Sequence, residues 1–122
     1  MPDNPTHILV IDDNKDILFM LQAMLRLKEY TVSIKDNIDN LEACIKELSP
    51  SIILMDMFLC GADGREICKR LKGNLAFSYI PIVMISAHPR AKAECLEAGA
   101  NYFLGKPFEM NDLYQAVSKV LS

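Results

Sequence analysis

The stretch Ser51-Ile52-Ile53-Leu54-Met55-Asp56-Met57 decides the fold of this chain. Its apolar run, bounded by Ser49-Pro50 before and Cys60-Gly61 after, predicts a short strand that is buried on both faces. Asp is depleted in strands, and an isolated ionised carboxylate at the edge of a core is costly. Asp56 is therefore either a turn residue or helix cap, or a functional carboxylate at the carboxyl end of a central strand, where open α/β sheets place their chemistry.

Length and composition indicate an ordinary globular protein. The chain has 122 residues, is 51% hydrophobic and carries a formal net charge of −3, so we expect a single domain over residues 1–122 that does not bind nucleic acid. No apolar run reaches the ~18 residues of a membrane span, and the polar first six residues do not have the shape of a signal peptide. The four cysteines show no CxxC spacing, which favours reduced thiols in a cytoplasmic protein over disulfides or a zinc site.

Apolar runs and helical patterns alternate along the chain. Strands are predicted at residues 7–11, 30–34, 51–57, 80–85 and 101–104, and each is followed by a helical pattern, with Asp39 as a possible cap of the second helix and a loop over residues 58–63. The last two helices are predicted at residues 91–98 and 110–121. Five strand-helix units imply right-handed crossovers and a doubly wound α/β fold, with a parallel sheet between two helical layers.

Polar residues follow four of the predicted strands. Asp12 and Asp13 follow the first strand, Asp56 ends the third, Ser86 follows the fourth and Lys106 follows the fifth. In a doubly wound sheet these carboxyl ends share one edge, so we expect the five side chains to converge. Three clustered carboxylates repel one another unless a cation is present, and Mg²⁺ (or Mn²⁺) suits carboxylate oxygens.

The expected site has a carboxylate nucleophile and positive charge, but no histidine base and no reactive cysteine. Attack by Asp56 on phosphorus, giving an aspartyl phosphate, fits covalent carboxylate catalysis. Mg²⁺ and Lys106 would stabilise the charge on the phosphoryl oxygens.

With these residues the sequence resembles the receiver domains of response regulators in two-component, or phosphorelay, signalling, including the chemotaxis regulators. The matching motifs run in order along nearly the whole chain: Asp12-Asp13, Asp56, Gly64, Ser86-Ala87, Ala98-Gly99-Ala100 and Lys106-Pro107-Phe108. The resemblance implies a flavodoxin-like (βα)5 three-layer sandwich whose five strands lie in the order 2-1-3-4-5.

The resemblance also implies the roles of residues on the metal side of the site. Asp12 and Asp13 match the metal-binding pair, of which Asp13 is the expected direct ligand. Asp56 matches the phosphoacceptor, which also binds the metal. Phe58 matches the position whose backbone carbonyl is a ligand, so its side chain is free to vary.

Three further residues match the part of the family that senses the phosphoryl group. Ser86 matches the hydroxyl that turns to bind a phosphoryl oxygen, and Phe103 matches the aromatic switch residue that moves with it. Lys106 matches the phosphate-binding lysine. The Lys106–Pro107 peptide bond is expected to be cis by resemblance, although cis is the minority form of X-Pro bonds in general.

A receiver of this kind implies a sensor histidine kinase or a histidine phosphotransfer protein as phosphodonor. It also implies an output domain or downstream protein that reads the face formed by the fourth helix, fifth strand and last helix. Such a domain is not an enzyme beyond its own phosphorylation and dephosphorylation. Three alternatives stand beside this interpretation. A dehalogenase-like phosphatase expects an acid where Phe58 stands, and a flavodoxin-like cofactor binder expects a Gly-rich phosphate loop where Asp12-Asp13-Asn14 stands. The third is a degenerate receiver that only binds proteins.

Overall fold

The computed structural model describes residues 6–59, 61–88 and 90–121. Within them the strands are β1 (His7–Ile11), β2 (Thr31–Lys35), β3 (Ile52–Asp56), β4 (Phe58–Leu59), β5 (Ala62–Asp63), β6 (Ile82–Ser86) and β7 (Tyr102–Gly105). The helices are α1 (Lys15–Leu27), α2 (Leu41–Leu48), α3 (Gly64–Lys72), α4 (Ala91–Glu97) and α5 (Met110–Leu121). None of the helices in these ranges has both the length and the apolar character needed to cross a bilayer.

The main sheet has five parallel strands in the order β2-β1-β3-β6-β7. Counted along the chain these are the first to fifth long strands, so the predicted order 2-1-3-4-5 and the flavodoxin-like α/β class are confirmed. Strands β1, β3 and β6 lie inside the sheet and are apolar almost throughout, as expected for strands that are covered on both faces.

Alternate residues of the strands feed two separate cores, one on each face of the sheet. Ile8 and Val10 pack with α1 and α5 on one face. Leu9 and Ile11 pack with α2, α3 and α4 on the other face. This alternation follows from the two-residue period of a strand, and it gives the three layers expected from the sequence.

The residues that precede α1 and α2 confirm the predicted start of α1 and contradict the predicted cap of α2. The side chain of Asn14 accepts hydrogen bonds from the backbone N–H groups of Asp16 and Ile17, so it caps α1 where the sequence opens a helical pattern. The prediction that Asp39 caps α2 is wrong. The residue before α2 is Asn40, which has a left-handed backbone (φ 54°) and makes no capping side-chain bond.

The segment after β3 differs most from its prediction as a loop. Phe58 and Leu59 pair antiparallel with Ala62 and Asp63, forming a short β4–β5 ribbon. The ribbon leads into Gly64, whose N–H donates to the carbonyl of Met57 at 2.6 Å. A Cβ at Gly64 would lie 2.7 Å from the backbone oxygen of Asp56, so only glycine fits there without displacing the end of β3.

The predicted strand at residues 80–85 begins two residues later in the structure. Pro81 has no N–H to donate, and the N–H of Ile80 bonds to the carbonyl of Phe77 within the preceding turn. The strand therefore starts at Ile82 and extends to Ser86, which carries the hydroxyl to the carboxyl edge of the sheet.

Candidate functional site

The carboxyl ends of four neighbouring strands bring the candidate residues to one edge of the sheet. Asp12 and Asp13 follow β1, and Asp56 is the last residue of β3. Ser86 ends β6, and Lys106 follows β7. Because β1, β3, β6 and β7 are adjacent and parallel, residues from distant parts of the sequence meet at this edge.

Lys106 contacts two of the three carboxylates. Its Nζ donates to Oδ1 of Asp56 at 3.1 Å and lies 3.8 Å from Oδ2 of Asp12. The first distance is a charge-assisted hydrogen bond, whereas the second is too long for a hydrogen bond. The lysine therefore compensates Asp56 directly and Asp12 only through its charge.

Asp12 is held in place from one side only. Asp12 is 2% exposed, and its Oδ1 accepts a hydrogen bond from the backbone N–H of Asn14 at 2.9 Å. Among the described residues its Oδ2 is buried and has no hydrogen-bond partner. A buried acceptor without a partner is costly, and in native proteins it usually marks a place for a ligand, an ion or a water molecule.

The three carboxylates form one cluster. Ligand oxygens of Asp12, Asp13 and Asp56 all lie within 4.8 Å of one another. Burial raises the pKa of Asp12 and of Asp56 above the ordinary carboxyl value, and the neighbouring acids raise it further. Lys106 lowers both pKa values in part, as does the Asn14 N–H for Asp12, without reversing the shift.

This donor set fits a hard divalent cation. Carboxylate oxygens are the ligands that Mg²⁺ and Mn²⁺ prefer, and the unpartnered Oδ2 of Asp12 is an acceptor that such an ion would satisfy. Asp13 is exposed at the mouth of the cluster, whereas Asp12 is enclosed. The structure thus brings together the three carboxylates from which the sequence predicted a metal site.

Ser86 lies beside this cluster with its hydroxyl partly engaged. The residue is 3% exposed, and its Oγ accepts a hydrogen bond from the backbone N–H of His88 at 3.0 Å. Its carbonyl accepts from the N–H of Lys106 at 2.9 Å, which ties the end of β6 to the lysine. The Oγ–H is a donor, so the hydroxyl can still give a hydrogen bond to an anion.

The remaining predicted residues lie around the rim. Phe58 begins the ribbon that follows Asp56, and its side chain is 55% exposed. Phe103 pairs with Met84 across β6 and β7 and packs, partly buried, against the core on the α4 side. The Lys106–Pro107 peptide bond is cis.

Two contributors were missed by the sequence reasoning. Asn14 fixes Asp12 through its backbone while its side chain caps α1, and an Asn directly before a helical pattern was a usable signal. Arg65 binds Asp63 at the base of the ribbon and Glu94 on α4. No local pattern indicates that second contact, because it joins two helices that are separate in sequence.

Comparison with known families and proteins agrees with this geometry. The family model described as the response regulator receiver domain matches residues 8–118. The phosphate regulon transcriptional regulatory protein PhoB of Pseudomonas aeruginosa is 33% identical over 116 residues, covering 93% of this chain and 51% of PhoB. The two-component response regulator ORR11 of Oryza sativa subsp. japonica is 31% identical over 120 residues, covering 96% of this chain and 82% of ORR11. This chain spans about half the length of PhoB and of several other curated relatives.

Solved structures give the same assignment of fold. A two-component response regulator from Clostridium difficile superimposes with a TM-score of 0.84 at 25% identity, covering 95% of each chain. The receiver domain of the sensor histidine kinase PA1611 of Pseudomonas aeruginosa PAO1 superimposes with a TM-score of 0.85 at 25% identity, covering 96% of this chain and 98% of that one. The PA1611 structure is described as having a magnesium ion coordinated in its active-site cleft.

Proposed function

Because the chain belongs to the response regulator receiver domain family of two-component systems, we propose that it accepts a phosphoryl group on Asp56 with the help of Mg²⁺ or Mn²⁺. One observation carries the proposal: the carboxylate of Asp56 lies within a cluster of three acids, and its Oδ1 accepts a hydrogen bond from Nζ of Lys106 at 3.1 Å. A carboxylate fixed in this way at a strand end is oriented as a nucleophile.

The phosphodonor that fits this site is a phosphohistidine on a sensor histidine kinase or a histidine phosphotransfer protein. An Oδ of Asp56 attacks phosphorus while the bond from phosphorus to the imidazole nitrogen breaks. The electron pair of that bond leaves with the imidazole, which takes up a proton, and Asp56 becomes an acyl phosphate. The reaction needs no general base on the receiver, because the carboxylate is already ionised.

Lys106 and Ser86 complete the phosphoryl-binding part of the site. The Lys106 ammonium contacts the Asp56 carboxylate in the free protein. Once Asp56 is phosphorylated, the same ammonium can bind the negatively charged phosphoryl oxygens. The Ser86 hydroxyl can donate to a phosphoryl oxygen by turning about its side-chain bond. Both groups would stabilise the product as well as the transition state.

A divalent cation would be held by Asp12, Asp13, Asp56 and the backbone carbonyl of Phe58. When bound, it supplies positive charge to the phosphoryl oxygens and relieves the repulsion between the acids. Asp12 is oriented for this task by its bond to the Asn14 N–H. The magnesium described for the PA1611 receiver domain supports this assignment.

Phosphorylation would be read out at the face formed by α4, β7 and α5. Ser86 would turn toward the phosphoryl group, and Phe103, which lies on the α4 side of β7, would move with it. The relatives are named as regulators rather than metabolic enzymes, and this supports a switch whose own catalysis is limited to its phosphorylation and dephosphorylation. The proposal includes a cytoplasmic location, and an output domain or downstream protein that reads this face.

Intact-mass measurement tests the proposal. The protein is incubated with acetyl phosphate, with and without Mg²⁺, and its mass is followed over time. We expect the gain of one phosphoryl group in Mg²⁺ and little gain in EDTA. Asp56→Asn should abolish the gain, whereas Asp39→Asn, an exposed acid outside the site, should leave it unchanged.

A wild-type protein that gains no phosphoryl group from acetyl phosphate or from a phosphorylated kinase would contradict the proposal. The reading that would then remain is a receiver that binds partners without phosphorylation. Phosphorylation that survives Asp56→Asn would instead place the acceptor elsewhere.

A further inference from the structure

Arg65 joins two parts of the molecule that the proposed reaction does not connect. Its Nε and Nη2 donate to the carboxylate of Asp63 at 2.9 and 2.7 Å. Its Nη1 lies 3.0 Å from Oε1 of Glu94 on α4. The planar guanidinium thus binds one carboxylate through a two-pronged contact and a second carboxylate on another helix.

The first contact reaches toward the metal side of the site. Asp63 is the end of β5 and pairs directly with Phe58 of β4. It is also the N-cap of α3, since its Oδ1 accepts from the backbone N–H of Arg65 at 2.9 Å. Arg65 therefore fixes the strand residue opposite Phe58, whose carbonyl is a proposed ligand of the cation.

The second contact reaches α4, a short helix without a side-chain cap at its start. The residue before α4, Arg90, makes no capping side-chain bond. Next to Glu94 is Cys95, which is buried with its Sγ 3.5 Å from Sδ of Met57. Met57 directly follows β3, so two of the contacts of α4, those of Glu94 and Cys95, reach residues in the segment after β3. The helix is also packed into the core through Ala91 and Cys95.

We propose that Arg65 is a positioning residue that couples the Phe58 side of the cation site to α4. This inference rests on the proposed function, because it takes the Phe58 carbonyl to be a ligand. Occupation of the site would order the β4–β5 ribbon, and through Asp63, Arg65 and Glu94 it would order α4. By thermodynamic linkage the coupling is reciprocal, so α4 would in turn influence how tightly the cation is held.

The geometry separates this contact from an ordinary surface ion pair, which contributes little. The side chains of Arg65 and Asp63 are only 27% and 35% exposed, and Arg65 holds the pKa of Asp63 below the usual carboxyl range. Glu94 is more exposed, at 52%, but it contacts the guanidinium that Asp63 already holds in place. The Lys69–Glu66 pair on the same helix is longer, at 3.6 Å, and its side chains are 62% and 70% exposed. Lys69 therefore provides a matched control.

Calorimetric Mg²⁺ titration and amide hydrogen exchange of α4 test the coupling in the full chain. In wild type we expect Mg²⁺ to slow exchange in α4 by about two- to fivefold, the scale of one ion pair. Arg65→Gln should weaken Mg²⁺ binding by about three- to tenfold, at or below the low end for loss of an outer-shell partner. The same substitution should remove the effect of Mg²⁺ on α4.

Glu94→Gln removes the contact of Arg65 with α4 and leaves its contact with Asp63 intact. It therefore tests the coupling even if Arg65→Gln fails to fold. It should remove the effect of Mg²⁺ on α4 and weaken Mg²⁺ binding by about the same two- to fivefold, as reciprocal coupling requires, which is less than the loss expected for Arg65→Gln. Lys69→Gln should change neither measurement.

Wild-type Mg²⁺ binding with the same α4 response in Arg65→Gln, Glu94→Gln and Lys69→Gln would overturn the coupling and leave the proposed function standing. A wild-type protein that binds no Mg²⁺ would overturn both.

Discussion

Asp12 and Asp56 are the two carboxylates of the site whose charged forms are disfavoured by burial and by neighbouring acids. Both are more buried than Asp13, and burial raises the pKa of each carboxyl above its ordinary value. A carboxyl whose pKa is higher in the folded than in the unfolded chain binds its proton more tightly when folded. The free energy of unfolding therefore falls as pH rises from the ordinary carboxyl value, about 3.9, through the raised folded value.

The first prediction concerns the free-energy cost of keeping the Asp56 carboxylate charged in the folded protein. Without divalent cations at pH 7, Asp56→Asn should raise the free energy of unfolding by roughly 1 kcal/mol, because it removes a partly buried charge from a repulsive cluster. Urea denaturation in EDTA measures the difference, with Asp39→Asn as control. A lower free energy of unfolding in Asp56→Asn would contradict the prediction. It would show that the attraction of Lys106 to Asp56 outweighs the cost of burial and the repulsion by the neighbouring acids.

The second prediction concerns Lys106. Lys106→Gln should slow phosphorylation by acetyl phosphate by about a hundredfold, because it removes a donor from the phosphoryl oxygens. The same change should strengthen Mg²⁺ binding, since a positive charge 3.1 Å from Asp56 competes with the cation. Mass spectrometry gives the rate and calorimetry the affinity; weaker Mg²⁺ binding would contradict the assigned role.

At the scale of elements, the end of β3 and the start of α3 are packed backbone to backbone. Gly64 approaches the carbonyls of Asp56 and Met57 so closely that a Cβ would lie 2.7 and 2.9 Å from their oxygens. The end of β3, which carries Asp56, and the β4–β5 ribbon therefore have a fixed separation. This contact holds the Asp56 carboxylate relative to the Phe58 carbonyl.

The third prediction follows from that contact. Gly64→Ala should lower the free energy of unfolding by about 1–3 kcal/mol, the usual range for overpacking, because neither backbone oxygen can move without shifting β3. Gly105→Ala is the control, since a Cβ there would meet the Phe103 ring at an ordinary 3.6 Å. Equal stability of the two variants in thermal unfolding would contradict the tight packing.

At the scale of the whole molecule, the sequence patterns were sufficient to predict the α/β class and the convergence of Asp12, Asp13, Asp56 and Lys106 at one edge of the sheet. Strands that alternate with helical patterns predicted a parallel sheet, and the polar residues that follow four of the five strands predicted chemistry at one edge of it. The strand order came from the family resemblance and is confirmed by the structure. The roles of Asp12, Asp13, Asp56, Phe58, Ser86, Phe103 and Lys106, like the single-domain assignment for residues 1–122, remain proposals.

Other features depended on tertiary contacts that no local pattern encodes. Asp12 and Asp13 are identical residues side by side, yet one is enclosed and the other exposed, because the chain turns between β1 and α1. The ribbon at Phe58 requires pairing across a short loop of unremarkable composition. The contact of Arg65 with Glu94 depends on how α3 and α4 lie against the sheet.

The most direct test of the account is to locate the phosphoryl group chemically. Borohydride reduces an acyl phosphate of aspartate to homoserine and leaves phosphoserine and free carboxylates unchanged. After incubation with acetyl phosphate and Mg²⁺, we predict homoserine at position 56 by peptide sequencing in the mass spectrometer. Homoserine at position 12 or 13, or none at any position in a protein that has gained a phosphoryl group, would contradict it.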